Sequence, residues 1–275
     1  VHMKEELADT ETFKVKVKGI LKQIEQEQKT HINTTDPQAR QMNSIKGGHP
    51  GYNAQLVVDQ KHGLIVSADI TDESSDINQF AKQIEQANTA LNKPCKVACA
   101  DKGYCNTADM EKVAQENITV IVAPPEGKPT KKELTYDSRN DCFICPKGKR
   151  LIPKGLSSDR KSKVYRIEHV RDCQACKLCT KAKYGRVTSR LLGEDARQKF
   201  LADYKSSPGQ DIYQLRRQKV ELPFGHIKRN LKGDSFLLRG KEGAHAEFSL
   251  FSCCFNIARM ITLLGVTGLV AKLAT

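Results

Sequence analysis

Apolar and polar positions change their period several times along this chain, and each change marks an element. Residues 4–30 are dense in Lys, Glu and Gln, and Val17, Ile20, Leu21 and Ile24 recur at helical spacing, which predicts an exposed amphipathic helix. The turn-rich stretches Thr34-Thr35-Asp36-Pro37 and Gly47-Gly48-His49-Pro50-Gly51 predict loop. Two short apolar runs follow, Tyr52 to Asp59 and Leu64 to Ile70, joined by Gln60-Lys61-His62-Gly63 as a β-hairpin. From Asp76 to Leu91 the apolar positions Ile77, Phe80, Ile84, Ala87 and Leu91 return to a helical period. Lys96 to Ala100 has the continuous apolar character of a buried strand and ends directly on Asp101. Asn106 is placed to cap a helix running through Gln115, and Ile118 to Val122 is a further buried strand closed by Pro124-Pro125.

The order to this point is β-β-α-β-α-β, the signature of an α/β fold. Residues 126–182, rich in Lys, Gly, Pro and Cys, break the rhythm and are expected to be an inserted module. Helical patterning resumes near Glu194 and continues through Arg217, Glu221 and Ile227, and a last helix is expected from Gly243 to Leu264. The apolar stretch Ile261 to Val270 is about half the length needed to span a bilayer and reads as a buried helix, so no membrane partner is expected.

Composition sharpens this picture in two ways. With 39% apolar residues, 275 residues can bury a substantial core. Lys and Arg outnumber Asp and Glu by 45 to 32, a net charge of +13, which favours a polyanionic partner such as nucleic acid. No N-terminal stretch has a secretory pattern, and a cytoplasmic location is expected. Thiols stay reduced there, so ten cysteines suggest metal binding or burial rather than a disulfide framework.

Three groups of residues are candidates for chemistry. Asp101 sits at the carboxyl end of a predicted strand with Gly103 available for a tight turn, where ligands of open α/β sheets bind; a turn or capping Asp would look the same. At 100° per residue, Tyr213, Arg217, Glu221 and Lys228 share one polar face of a helix, and Pro223 should kink it just after the Glu. A solvated charged face has the same pattern. Cys142-x-x-Cys145 and Cys173-x-x-Cys176-x-x-Cys179 present paired thiols at the spacing of a structural zinc site, with Cys142, Cys145, Cys173 and Cys176 as the natural set and Cys179 as an alternative late ligand.

Ala100-Asp101-Lys102-Gly103-Tyr104 followed by the Tyr213, Arg217, Glu221, Lys228 series resembles bacterial insertion-sequence transposases of the DDE type, with the Tyr-Arg-Glu-Lys signature. Asp36-Pro37-Gln38-Ala39-Arg40, Gly51-Tyr52-Asn53-Ala54-Gln55, Asn230 and Phe236-Leu237-Leu238-Arg239-Gly240 also look like that family, and the resemblance runs from about residue 34 to about residue 262. It implies an RNase H-like mixed sheet flanked by helices, with the Cys-rich insertion between the last core strand and the Glu-bearing helix. Under it, the chain divides into a helical linker (1–33), the first part of the core (34–125), the insertion (126–182) and a helical remainder (183–275). Asp101 matches the second catalytic Asp and Glu221 the catalytic Glu, together holding Mg2+ or Mn2+ for strand cleavage and strand transfer. Tyr213, Arg217, Lys228 and Arg229 are then expected to contact DNA, although three residues separate Tyr213 from Arg217 where the family pattern has two.

The partners implied are transposon ends and target DNA, with a homodimer at synapsis and a place at the nucleoid when bound. The family's first catalytic Asp lies in an Asp-Gly-Thr strand that this sequence lacks. The first core strand is therefore expected to be absent and the chain N-terminally truncated, with Asp36, Asp59 and Asp69 poor substitutes. The alternative is a catalytically inactive, transposase-derived DNA-binding protein with a zinc module.

Overall fold

The computed structural model describes residues 10–26, 28, 32–44, 47–125, 134–176 and 182–274. The chain is mixed α/β and divides into two compact units, one formed by residues 1–95 and 214–275, the other by residues 96–213.

The first unit begins with α1 (Thr10–Gln26), an exposed helix as its pattern predicts. The antiparallel pair β1 (Arg40–Ser44) and β2 (Gly47–Gly51) follows. β2 falls where loop was expected, because Gly47-Gly48-His49-Pro50-Gly51 has no apolar alternation and its ladder rests on backbone hydrogen bonds alone. The predicted hairpin forms as β3 (Asn53–Val58) and β4 (Ile65–Thr71). Asp59 shapes its turn by accepting from the N–H groups of His62 (2.8 Å) and Leu64 (2.7 Å), and Gly63 takes the left-handed φ of +70°. Next comes α2 (Phe80–Leu91), whose Phe80, Ile84 and Ala87 are buried.

The unit is completed by the carboxyl half of α6 (Ser207–Arg229) and by α7 (Gly240–Leu273). Ala244, Phe248 and Phe255 of α7 pack with Ile65 and Ile70 of the hairpin and with Ile227 of α6 in one core. Asn256 ties helix to strand: its side-chain amide accepts from the Ile65 N–H and donates to the Ile65 carbonyl, both at 2.8 Å.

The expectation that residues 261–270 form a buried helix does not hold. The backbone breaks at Gly265 (φ 70°, ψ 166°), and of those ten residues only Leu269 is buried. The reason is length. A helical run of 34 residues reaches about 50 Å, whereas the seven residues of β4 span about 23 Å, so α7 outruns the strand that covers it. By length and composition alone α7 could cross a membrane.

In the second unit β5 (Val97–Ala100) and β6 (Thr119–Val122) pair in parallel. α3 (Thr107–Gln115) connects them, with the Asn106 side chain accepting from the Ala108 N–H as its sequence position predicts. Val120, Ile121 and Val122 are all buried, as a strand covered on both faces should be. α5 (Glu194–Lys205) packs on β6, and Phe200 is its buried residue.

Between β6 and α5 lies a five-stranded antiparallel sheet in the order β11-β10-β9-β8-β7. Its strands are β7 (Thr135–Asp137), β8 (Cys142–Ile144), β9 (Arg150–Leu156), β10 (Ser162–Ile167) and β11 (Val187–Leu191), with α4 (Val170–Cys176) inserted before the last. One face carries the core of Leu151, Tyr165 and Ile167, packed against Tyr136, Phe143, Cys145 and Cys173.

Candidate metal and DNA-binding site

Asp101 directly follows β5, at the carboxyl end of the parallel pair. It caps the 3₁₀ turn Lys102–Tyr104, and its Oδ1 accepts from the Gly103 N–H at 2.7 Å. That bond holds the carboxylate at the sheet edge, and Asp101 is half-exposed. This is where open α/β sheets place their ligands.

Glu221 lies on α6, which runs without interruption through Pro223. Pro223 and Ile227 are buried, and at 100° per residue they point about 200° and 240° from Glu221. The same packing that seats the helix therefore turns Glu221 outward, where its side chain is 64% exposed. Its described partner is the Arg217 guanidinium one turn earlier, Nε to Oε1 at 3.3 Å. Lys228 reaches over the Phe224 ring, 6.0 Å from its centroid, and Arg229 is exposed beside it. Tyr213 packs edge-to-face on Tyr204, with ring centroids 5.1 Å apart.

The unit boundary falls within α6, between Tyr213 and Gln214, so Asp101 and Tyr213 belong to one unit and Glu221, Arg217, Lys228 and Arg229 to the other. Oxygen donors of this kind suit a hard divalent ion. Among the described residues, no three His, Cys, Asp or Glu side chains come together as a metal site.

The other acidic residues weighed from sequence are occupied by the fold. Asp36 accepts from the Tyr52 hydroxyl (2.9 Å), the Gly240 N–H (3.0 Å) and the Gln38 N–H (3.2 Å). Burial pushes its carboxyl up, but the bonds from Gly240, Tyr52 and Gln38 outweigh it and hold the group below the usual carboxylate range. Asp69, with one oxygen on Lys82 (2.7 Å) and Gln83 (3.1 Å), shows the same balance, burial raising and those partners lowering.

Three further carboxylates carry structure that sequence reading missed. Asp76 accepts from the side-chain amides of Asn53 and Gln55, both at 2.8 Å. Asp72 pairs with Lys241 at 3.2 Å and Arg40 at 3.7 Å. The buried Glu247 accepts from the N–H groups of Leu237 (2.9 Å) and Leu238 (3.0 Å). Glu247 had a visible signal, as a lone carboxylate between Ala244 and Phe248 on an apolar helix face. The bonds of Asp36 join Asp36-Pro37-Gln38 and Gly51-Tyr52-Asn53-Ala54-Gln55 to Phe236-Leu237-Leu238-Arg239-Gly240, about two hundred residues further on.

The cysteines are divided between environments. Cys145 and Cys173 pack against the core face of the five-stranded sheet, and the Cys173 sulfur accepts from the Arg186 N–H at 3.4 Å. Cys142 alternates with Phe143 along β8 and so takes the opposite face, where it is buried near Arg150. The Cys176 side chain and Cys179 lie outside the described residues. The described thiols thus do not fit one tetrahedral site containing Cys142.

No curated protein and no solved structure matches this chain. Residues 144–261, less than half of it, match the family model of the transposase DDE domain. The match takes in Glu221 with Tyr213, Arg217, Lys228 and Arg229, and it starts beyond Asp101. From β8 to α7, then, the chain is similar to the DDE domain of transposases.

Proposed function

We propose that this chain acts in DNA transposition as the catalytic part of a DDE transposase with an RNase H-like fold, and that Asp101 and Glu221 are two of its metal-holding carboxylates. The observation that carries the proposal is the DDE-domain match across the Glu221 helix, and a second one is an Asp at the carboxyl end of a parallel strand. The sheets support the RNase H-like part. Among the described residues the parallel pair and the hairpin are each two strands wide, and two-stranded sheets are marginal alone, so each has an edge that suits a further strand.

Asp101 presents its second oxygen while Gly103 holds the first, and Glu221 presents a carboxylate shared only with Arg217 among the described residues. Magnesium, held by these oxygens, would supply the positive charge that an in-line displacement at phosphorus develops a need for on its attacking and leaving oxygens. Arg217 can give a DNA phosphate a planar two-point contact, and Lys228 and Arg229 add further cations on the last turn of α6. Tyr213 is assigned a supporting contact in the same series. Transposon ends and target DNA are the substrates in this reading, and an insertion sequence the element moved.

The test is metal-dependent cleavage and strand transfer on duplex DNA with the full chain and with Asp101→Asn and Glu221→Gln. Both variants should lose nearly all cleavage while binding the duplex as the parent does. Cleavage that survives both substitutions would overturn the assignment.

A further inference from the structure

The excess positive charge of the chain is not spread evenly. Residues 134–193 carry fifteen Lys and Arg against five Asp and Glu, ten of the thirteen excess positive charges in about a fifth of the sequence. This segment is the five-stranded sheet with its connections.

Its two faces differ in kind. On the core face Tyr136, Phe143 and Tyr165 stack at centroid distances of 5.0 to 6.2 Å, and α4 covers them through Cys173. Alternation along β9 and β10 sends Arg150, Ile152, Val164 and Arg166 to the other face. Ile152 pairs with Arg166, which makes Arg150 a diagonal neighbour of Arg166, about 7 Å away. The bulge opposite Val164 adds Lys154 to the same surface. Arg150, Lys154 and Arg166 are all exposed. The strand residues of β9, β10 and β11 on this face include no Asp or Glu.

A solvated face usually mixes both signs, so that cations find anions nearby. Four of the segment's five carboxylates have partners of their own, and the fifth, Glu168, lies opposite Arg150 and acts on its charge together with Asp137. Asp141 accepts from Lys163, Tyr136 and Tyr165, and Asp172 pairs with Lys149 at 3.3 Å. Asp159 binds Ser157, and Asp137 binds Asn140. Among the described residues, Lys154 and Arg166 form no ion pair.

We infer that the β9–β10 surface of the inserted sheet, through Lys154 and Arg166, is a second DNA-binding surface that grips the phosphate backbone of duplex DNA without reading its sequence. The inference rests on the reading that the protein acts on DNA. The surface holds cations with Ile152 and Val164 between them and no Asn or Gln on its strands, so it suits phosphates rather than base edges.

The experiment measures binding of the full chain to two short duplexes of unrelated sequence, without divalent metal, between about 50 and 200 mM salt. Lys154→Gln with Arg166→Gln should weaken both duplexes equally, by about tenfold, and lower the slope of log affinity against log salt by about two. The charge-keeping pair Lys154→Arg with Arg166→Lys should retain the parental slope, which separates lost charge from a damaged fold. Parental affinity and slope in the glutamine pair would overturn this surface and leave the proposed function standing. Equal loss in both pairs would also overturn it. A parent chain that binds neither duplex would overturn both readings.

Discussion

Two sets of carboxylates in this protein face opposite situations. Asp36, Asp69, Asp76 and Glu247, in and around the hairpin and α7, each accept two or more hydrogen bonds from groups the chain must satisfy. Asp101 and Glu221 have one described partner each, a neighbouring N–H and a neighbouring exposed guanidinium. A carboxylate saturated by the fold has no oxygens left for a metal and is costly to remove. One held at a single point on a fixed element is placed for a ligand and is cheap to alter structurally. The difference sorts acidic residues that sequence alone cannot rank.

The largest effect expected from this contrast is on chemistry. Changing a group one bond removed from a metal costs about 10 to 100-fold, so Asp101→Asn and Glu221→Gln should each exceed about a hundredfold loss of cleavage. Thermal unfolding should meanwhile stay near that of the parent, because neither substitution strands a buried group. A melting point that drops as activity drops would erase the distinction between the two sets.

The reverse pattern is expected in the hairpin unit. Asp36→Ala leaves the Tyr52 hydroxyl and the Gly240 N–H without their acceptor, and Glu247→Ala does the same to Leu237 and Leu238. Each should cost about 1–3 kcal/mol of unfolding free energy, read by chemical denaturation. Substitutions that leave the denaturation midpoint unmoved would show that these bonds do not hold the unit.

The hairpin, its turn, α2, the parallel pair and the Asn106 cap were all legible in the sequence, because their apolar residues keep one period over a whole element and their ends carry turn or cap residues. The five-stranded sheet was not. β7 and β8 are three residues long, too short to show alternation, and β9 contains Pro153 and Gly155, which read as loop. α6 continues through Pro223 and buries its ring, so the proline does not end the helix. The candidate site was read from residue type and order alone. The facing of Cys142 away from Cys145 and Cys173 was not legible, because a Cys-x-x-Cys spacing brings both thiols together in a knuckle turn and separates them only when, as here, the first three residues are a strand.

Acid offers a gentler way to separate the two carboxylate sets. Asp36, Asp69 and Asp72 are all held below the usual carboxylate range in the folded chain. A lowered folded value means that the unfolded chain binds protons first as pH falls. The stability these groups contribute is therefore complete above about pH 4 and is lost as pH drops through their folded values. Unfolding free energy should be flat between about pH 7 and 5 with respect to these groups and decline below about 4, with a shallower decline in Asp36→Asn. An identical decline in that variant would remove Asp36 from the account.

The smallest effect concerns the Arg217–Glu221 pair, and it tests whether that pair is scaffold or site. The two side chains are 78% and 64% exposed and lie at i and i+4 with the cation nearer the helix start, the less favourable orientation. An exposed pair of this kind contributes a few tenths of a kcal/mol at most. Arg217→Gln should thus leave unfolding free energy within about 0.5 kcal/mol of the parent, while it weakens duplex binding and flattens its salt dependence by about one phosphate contact. If Arg217 serves only to hold Glu221, stability would move and the salt slope would not. A double-mutant cycle with Glu221→Gln separates the two, because an arginine that leaves the carboxylate for a DNA phosphate shows little coupling to it in the unfolding measurement.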